Sequence, residues 1–550
     1  MIMKEPQWPG VVVLVCSPRV DIWAKGRAFQ TRGFTPNRSI SNLTTEATYS
    51  SARQTTQPGA FGQSLASGRL PLAVGLYLAA VLMPVLFNIG SLVLTPIRLM
   101  LLLYVPILTV QLFSGRFGKV LAVDIFFYLY LVWATIAIAV NNPDKVVESI
   151  GSTTVEFLGG YLIARAYIRT PESYESLIRT LMVITILLLP FTIPELLNGK
   201  AVIPNLIDSI PGLRSVNDGA NPKRMGLERV QNVFAHAIHY GLYSSIPFIS
   251  VLYGMKDRKS LAWRLVGAAT IGFAVFASLS SGALLALLLQ TALLAWALVL
   301  TKFRYKWLLL FGLFVLVYIL IDLLSNRTPV RVFMTYATFS AQTAFYRSGI
   351  NDWGWFNVGQ NPVFGLGLRD WIRPAFMMRG SVDNFWLVSA MRYGIPGLVL
   401  LSIGCLAGIV QVAKRDTSAS AHITRLRVTW VITYCGIAFT LATVHVWTNV
   451  FSFVFFFFGA GMWIASYNAA SDAAADSPPL ASARGKQNLQ RPPVAAPSGP
   501  VRLTRFARNW QKDAPVREPS PPASGSPYAR PSLTEKPRDR GARSGRKPKA

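Results

Sequence analysis

Two polar stretches interrupt an apolar chain, and both collect side chains suited to binding phosphate and moving a proton. The first, NPKRMGLERVQNVFAHAIHYG, runs from Asn221 to Gly241 and holds Lys223, Arg224, Arg229, His236 and His239. The second runs from about Thr343 to Gly397 and holds Arg347, Arg369, Arg373, Arg379, Arg392, Asp370, the Asp383-Asn384 pair and four tryptophans. Arginine suits phosphate because its planar fork holds two oxygens at once. Arginines and a lysine converging beside a membrane therefore point to a polyanion such as a diphosphate. The opposing reading is snorkelling to lipid headgroups, which applies most to Arg373 and Arg379 in their aromatic, Met-rich surroundings. His236 and His239, three apart, share a face if helical. They could bind a metal, cap a helix or act on a substrate. No third ligand at a suitable spacing is visible, so no metal is assigned.

These residues need a scaffold, and composition names its class. The chain has 550 residues, 52% of them hydrophobic, and a mean hydropathy of +0.39. Only 14% are charged, against about 25% in soluble domains. With repeated apolar runs, this predicts an all-α, polytopic integral membrane protein. About twelve spans are expected, near 70–88, 92–113, 120–140, 150–168, 177–196, 237–254, 262–280, 282–300, 306–324, 386–413, 427–445 and 448–467. The net charge of +29 reflects Lys/Arg-rich loops rather than nucleic-acid binding, since no stacking or groove-reading module is present. SGRFGK, MKDRKS, TKFRYK and KRDTSASAHITRLR all fall on one side. The positive-inside rule makes that side cytoplasmic, puts both termini there, and sends the loops at about 197–236 and 325–385 to the outer face. Residues 1–69 and 468–550 read as disordered cytoplasmic segments, the second strongly basic. Cys16, Cys405 and Cys435 form neither a metal pattern nor a disulfide framework.

At its polar residues the chain resembles the O-antigen ligase/Wzy polymerase family of bacterial envelope glycosyltransferases. The family's ligases carry His-[Asn/Ser/Gln], nine residues, Gly, two residues, then Gly, Thr or Tyr. Here Asn384 is followed by nine residues, Gly394, Ile395-Pro396 and Gly397, with Asp383 where the ligases have His. RVQNVFAHAIHYG (Arg229–Gly241) is similar to the family's Arg…Phe-x-His-Pro element, with Ala237 replacing Pro. SLSSG (Ser278–Gly282) resembles its Ser-Arg-Gly turn, and FYRSGINDWGWFNVGQNPVFGLG its Arg…Trp…Asn-Pro-x-x-Gly-x-Gly segment. The resemblance covers about residues 70–467.

It implies a reaction on the outer face of the bacterial inner membrane. A glycan leaves undecaprenyl diphosphate for a saccharide acceptor, with no nucleotide sugar, cofactor or obligatory metal. With the motif positions so matched, the candidates are His236, Asp383 and Arg347 for catalysis and Arg229 and Asn384 for substrate binding, joined by Arg224, His239, Arg369 and Arg373 on the strength of their residue types in the two polar stretches. Asp383 in place of His favours a repeat-unit polymerase for exopolysaccharide or O-antigen over an O-antigen ligase. The acceptor hydroxyl needs a base, and His236 and Asp383 are the candidates: with His236 as base and Asp383 orienting an arginine, the rate should fall as pH drops through about 6.5, the ordinary histidine value, whereas with Asp383 alone activity should persist to about pH 4–5. Trp353, Trp355, Trp371 and Trp386 could stack on sugars or form an interfacial belt. Other polysaccharide assembly or export proteins are possible partners. A polysaccharide or lipid-linked oligosaccharide flippase is the competing class, with Arg98, Asp124, Glu156 and Arg165 as a pathway. No internal repeat supports it.

Overall fold

The computed structural model describes residues 70–467, apart from 90–91, 217–221, 337–340 and Arg379. The two terminal segments expected to be disordered, and Arg379, lie outside the described residues. The described chain is mostly helical. It opens with α1 (Leu72–Leu82), β1 (Val85–Ile89), β2 (Leu92–Leu94), α2 (Pro96–Phe113), α3 (Ala122–Asn141), α4 (Val146–Tyr167) and α5 (Pro171–Asn198). After α6 (Val202–Asp208) and β3 (Arg214–Ser215) come α7 (Ala237–Ser245), α8 (Leu261–Ala277), α9 (Ser281–Val299) and α10 (Lys306–Leu324). The chain continues through α11 (Pro329–Tyr336), α12 (Ala341–Gln360), α13 (Phe385–Lys414), α14 (Ala421–Thr440), α15 (Thr448–Gly459) and α16 (Met462–Ala465).

Among the described residues, seven helices are long and apolar enough to cross a membrane: α2, α3, α5, α9, α10, α13 and the run Thr448–Ala465. The remaining expected spans are present as helical segments that fall short of that measure. Helices α1 and α8 are only 11 and 17 residues long. Helix α4 carries Glu148, Glu156 and Arg165, and α14 carries His422, Arg425 and Arg427.

Three segments differ from the sequence expectation. The span expected at 70–88 leaves the helix after Leu82, because Pro84 disfavours a helical Met83. The β-prone VLFNI then pairs antiparallel with β2 on one side and β3 on the other. The span expected at 237–254 is broken: α7 ends at Ser245, two residues before Pro247, and a π-helical turn follows at Ser250–Gly254. The stretch expected as a loop at 325–385 contains two helices, α11 and α12.

Small residues let the helices approach closely, as in membrane bundles. Gly459 of α15 faces α4 so closely that a Cβ would lie 2.5 Å from the Tyr161 carbonyl oxygen. Aromatic edges fill the space around this seam, with Phe157 and Phe455 at 4.4 Å between ring centres. Two charge pairs lie among the packed helices. Arg98 holds Glu156 at 2.8 Å, and Arg165 lies 3.7 Å from Asp124. Tyr161 also donates to Asp124, while Arg165 donates to the carbonyls of Phe117 and Lys119 and so ties down the loop before α3.

Helix α13 is two helical pieces joined at Gly394, whose φ of 74° and ψ of −179° suit only glycine. The Asn361–Gly367 turn inserts into this break. Ile395 N–H donates to the Pro362 carbonyl at 2.8 Å, Leu366 N–H to Met391 at 2.6 Å and Gly367 N–H to Arg392 at 3.1 Å. A Cβ on Gly365 would lie 2.6 Å from the Gly394 nitrogen. The spaced glycines of both motifs thus form a backbone clamp, which Phe364 tightens by stacking on Trp133 at 5.6 Å.

Candidate functional site

The segment before α7 is fixed by a buried carboxylate on α5. Glu195 accepts from the backbone of Gln231 at 2.8 Å and of Asn232 at 3.0 Å. Asn232, at φ 54°, is held by its side-chain bonds to Leu188 and Thr192. Val230 N–H reaches the Ala277 carbonyl at 3.1 Å. Arg229 sits between these anchors, only 6% exposed, and its Nε and Nη2 are buried without a hydrogen-bond partner. The SLSSG turn lies beside it. Leu279 is forced to φ 44°, and its carbonyl accepts from Arg224 at 2.9 Å. Ser281 Oγ lies 3.5 Å from Nη1 of Arg347, which comes from α12 and is 5% exposed. Arg347 Nε faces Asp383 at 3.9 Å, and the Asp383 side chain is 41% exposed.

Three arginines, Arg224 and Arg229 from the segment before α7 and Arg347 from α12, therefore share one region. Among the described residues Asp383 is the carboxylate that acts on all three. Burial, with Arg224 and Arg347 adding to it and Asp383 opposing, lowers the pKa of Arg229 to about 10. Burial also lowers Arg224 and Arg347, with Asp383 opposing. All three stay cationic at pH 7. Among the described residues the three guanidiniums thus outnumber the one carboxylate that acts on them, a balance that suits an anionic ligand.

His236 caps α7: its Nδ1 accepts from Ile238 N–H at 3.1 Å. The neutral ring then carries its proton on Nε2, as a donor rather than a base. Burial, with Arg229 and Arg224 nearby, lowers its pKa to about 4. The inflection near 6.5 expected from the sequence is thereby moved well below neutrality. His239 is fully buried, its ring nitrogens make no hydrogen bond, and it packs edge-on against Trp447 at 4.0 Å. Asn384 caps α13, accepting from Leu387 N–H at 3.0 Å, and so fixes the start of the helix beside Asp383.

Arg369 and Arg373 are placed elsewhere. Arg369 binds Asn141 Oδ1 at 2.6 Å and the Leu366 carbonyl at 3.2 Å, which locks the Asn361–Gly367 turn to the end of α3. Arg373 pairs with Asp370 at 2.5 Å and donates to the Met377 carbonyl at 3.0 Å. Their hydrogen bonds are spent on the fold. Trp371, buried with Ile350 and Met377, is a core residue of this small cap, and its Nε1 donates to Gly380.

Sequence reasoning missed Glu195, whose role shows only through the backbone it holds. It also missed a cavity of about 210 Å³ walled by Phe385, Tyr130, Arg98, Glu156, Arg392 and His445. The Arg98–Glu156 pair read as a possible pathway belongs to this wall.

The structure is thus a mostly helical protein with seven helices, among the described residues, long and apolar enough to cross a membrane, and with a buried cationic cluster built from the segment before α7 and from α12. Compared with known proteins, the chain matches no protein-family model, and no curated protein is significantly similar to it.

Proposed function

We propose that the protein is a membrane glycosyltransferase that moves a glycan from undecaprenyl diphosphate to a saccharide acceptor, polymerising exopolysaccharide or O-antigen repeat units. The observation that carries this is Arg229: a guanidinium nine-tenths buried, with orphaned donors, beside two further arginines. The sequence elements that resemble the ligase/polymerase family supply this cluster: Arg229, the SLSSG turn, Arg347 and Asp383. The topology we infer has about twelve spans in the bacterial inner membrane, both termini in the cytoplasm and this centre on the outer face.

In the reaction the acceptor hydroxyl oxygen attacks the anomeric carbon, and the carbon–oxygen bond to the diphosphate breaks. The arginines meet the charge that develops on the departing diphosphate, the effect that is often largest in such catalysis. The hydroxyl proton passes to Asp383, the exposed carboxylate of the cluster. His236, with Nδ1 engaged, donates Nε2–H to a phosphate oxygen. This assignment exchanges the two roles that histidine chemistry alone would suggest. Asp383 where the ligases have His favours the polymerase over the ligase. The pairing of Arg98 with Glu156 and of Arg165 with Asp124 weighs against a charged transport path.

The test is purified protein with a lipid-linked repeat unit. Chain growth with release of undecaprenyl diphosphate is the expected result. Movement of the lipid across the bilayer without growth would replace the transferase with a flippase, and transfer of a single unit to a lipid A–core acceptor would make it a ligase.

A further inference from the structure

The cavity beside Phe385 is independent of the arginine cluster, and its lining has a chemistry of its own. Tyr130, Ser149, Ser152, Thr153 and Ser389 line it from α3, α4 and α13, and the Ser152 and Thr153 hydroxyls, whose protons go to the Ser149 carbonyl, keep lone pairs to offer as acceptors. Phe385 and Trp447 add aromatic rings. Rings beside hydroxyls are what a sugar needs, with one apolar face and an edge of hydrogen-bonding groups. His445 stacks near Phe385, 6.2 Å between ring centres, and its buried Nδ1 has no hydrogen-bond partner. A ligand hydroxyl would satisfy it. At about 210 Å³ the space is smaller than the roughly 300–1,000 Å³ of pockets for drug-sized ligands, and suits one pyranose ring.

The charge balance narrows the ligand further. Arg98 is already paired with Glu156 at 2.8 Å. Arg392 is not paired: its guanidinium makes no ion pair or hydrogen bond among the described residues. Its backbone is nevertheless fixed, because its carbonyl accepts from Gly367 N–H at 3.1 Å in the clamp. Helices α2, α4, α13 and α15 also begin near this cavity, which adds positive potential from their N-terminal ends. The wall thus presents one uncompensated positive charge.

We infer that this cavity binds one sugar ring bearing a single carboxylate, with Arg392 on the carboxylate and His445 and the hydroxyls on the ring. On the transferase reading it is the acidic sugar at the growing end of the acceptor. Asp383 and Phe385, two residues apart, connect the two sites: one faces the arginines and the other lines the sugar cavity.

Binding is measured apart from turnover, on the full chain in lipid nanodiscs, by saturation-transfer NMR with glucuronate, glucose and inorganic phosphate as probes. Glucuronate is expected to bind about tenfold more tightly than glucose. Arg392→Gln should remove that preference while leaving glucose binding unchanged, which also shows that the variant is folded. Arg392→Lys should keep part of the preference. Ser152→Leu should abolish binding of both sugars, and Arg229→Gln should change neither. Equal binding of the two sugars, an unchanged preference in Arg392→Gln, or phosphate competing as well as glucuronate would overturn the inference. Loss of chain growth with sugar binding intact would overturn the transferase reading and leave the cavity assignment standing.

Discussion

Arg229→Gln separates a functional charge from a structural one. A structural arginine is held by hydrogen bonds that its removal would break, at a cost of several kcal/mol. Arg229 has no such partners at Nε or Nη2, and Arg224 and Arg347 repel it. A fall from 12.5 to about 10 corresponds to roughly 3 kcal/mol of penalty on its charged form. Glutamine removes that penalty and loses some packing, so the melting temperature should hold or rise. Activity should move the other way. Losing one or two charge-assisted bonds to a diphosphate costs about 1.5–3 kcal/mol each. At roughly 1.4 kcal/mol per decade, kcat/KM should fall by about 10–10⁴-fold. The assays are chain growth from a lipid-linked repeat unit and thermal unfolding of the same preparation. Full activity, or a melting temperature that drops with activity, would refute the argument that this charge is kept for an anion.

Asp383→Asn should nearly abolish turnover, whereas His236→Asn, which keeps a capping side chain, should lower it only about 10-fold, as loss of one donor does; the reverse order, measured by the same assay, would return the base role to His236. Because the His236 pKa lies near 4, its ring stays neutral from pH 8 down to about 5. The rate profile should therefore show no histidine inflection near 6.5, and one that disappeared in His236→Asn would contradict the assigned tautomer. Gly394→Ala meets both a positive φ and the Val363 carbonyl. It should destabilise the fold by about 1–3 kcal/mol or more, read as a lower melting temperature, while Gly312→Ala, with open space around its Cα, should not. Membrane-impermeant thiol labelling of intact cells, with any outer membrane permeabilised, should reach a cysteine at Gln360 and not one at Ser418; the opposite pattern would invert the topology.

What the sequence determined by itself was the kind of element at each position and the residues rich in chemistry. Apolar runs must become helices where no water can satisfy the backbone, so most of the expected spans appear as helices close to their expected bounds. The motif residues Arg229, Ser281, Arg347 and Asp383 were identified before any contact was known, and they come together. The sequence set Arg369 and Arg373 beside Arg347 on the same substrate, since a guanidinium carries no record of its partner. Only the tertiary structure decided that Arg369 binds Asn141, 228 residues away, while Nε and Nη2 of Arg229 are left without a partner in a buried cluster. The same holds for the glycines of Asn-Pro-x-x-Gly-x-Gly and of the Asn384–Gly397 element. Their spacing read as a functional signature, but it serves a clamp in which one backbone enters the break in another, and a close approach between distant segments has no local trace in either. His236 lost its ordinary pKa for the same reason: its type is local, whereas burial and two neighbouring arginines are properties of the folded chain.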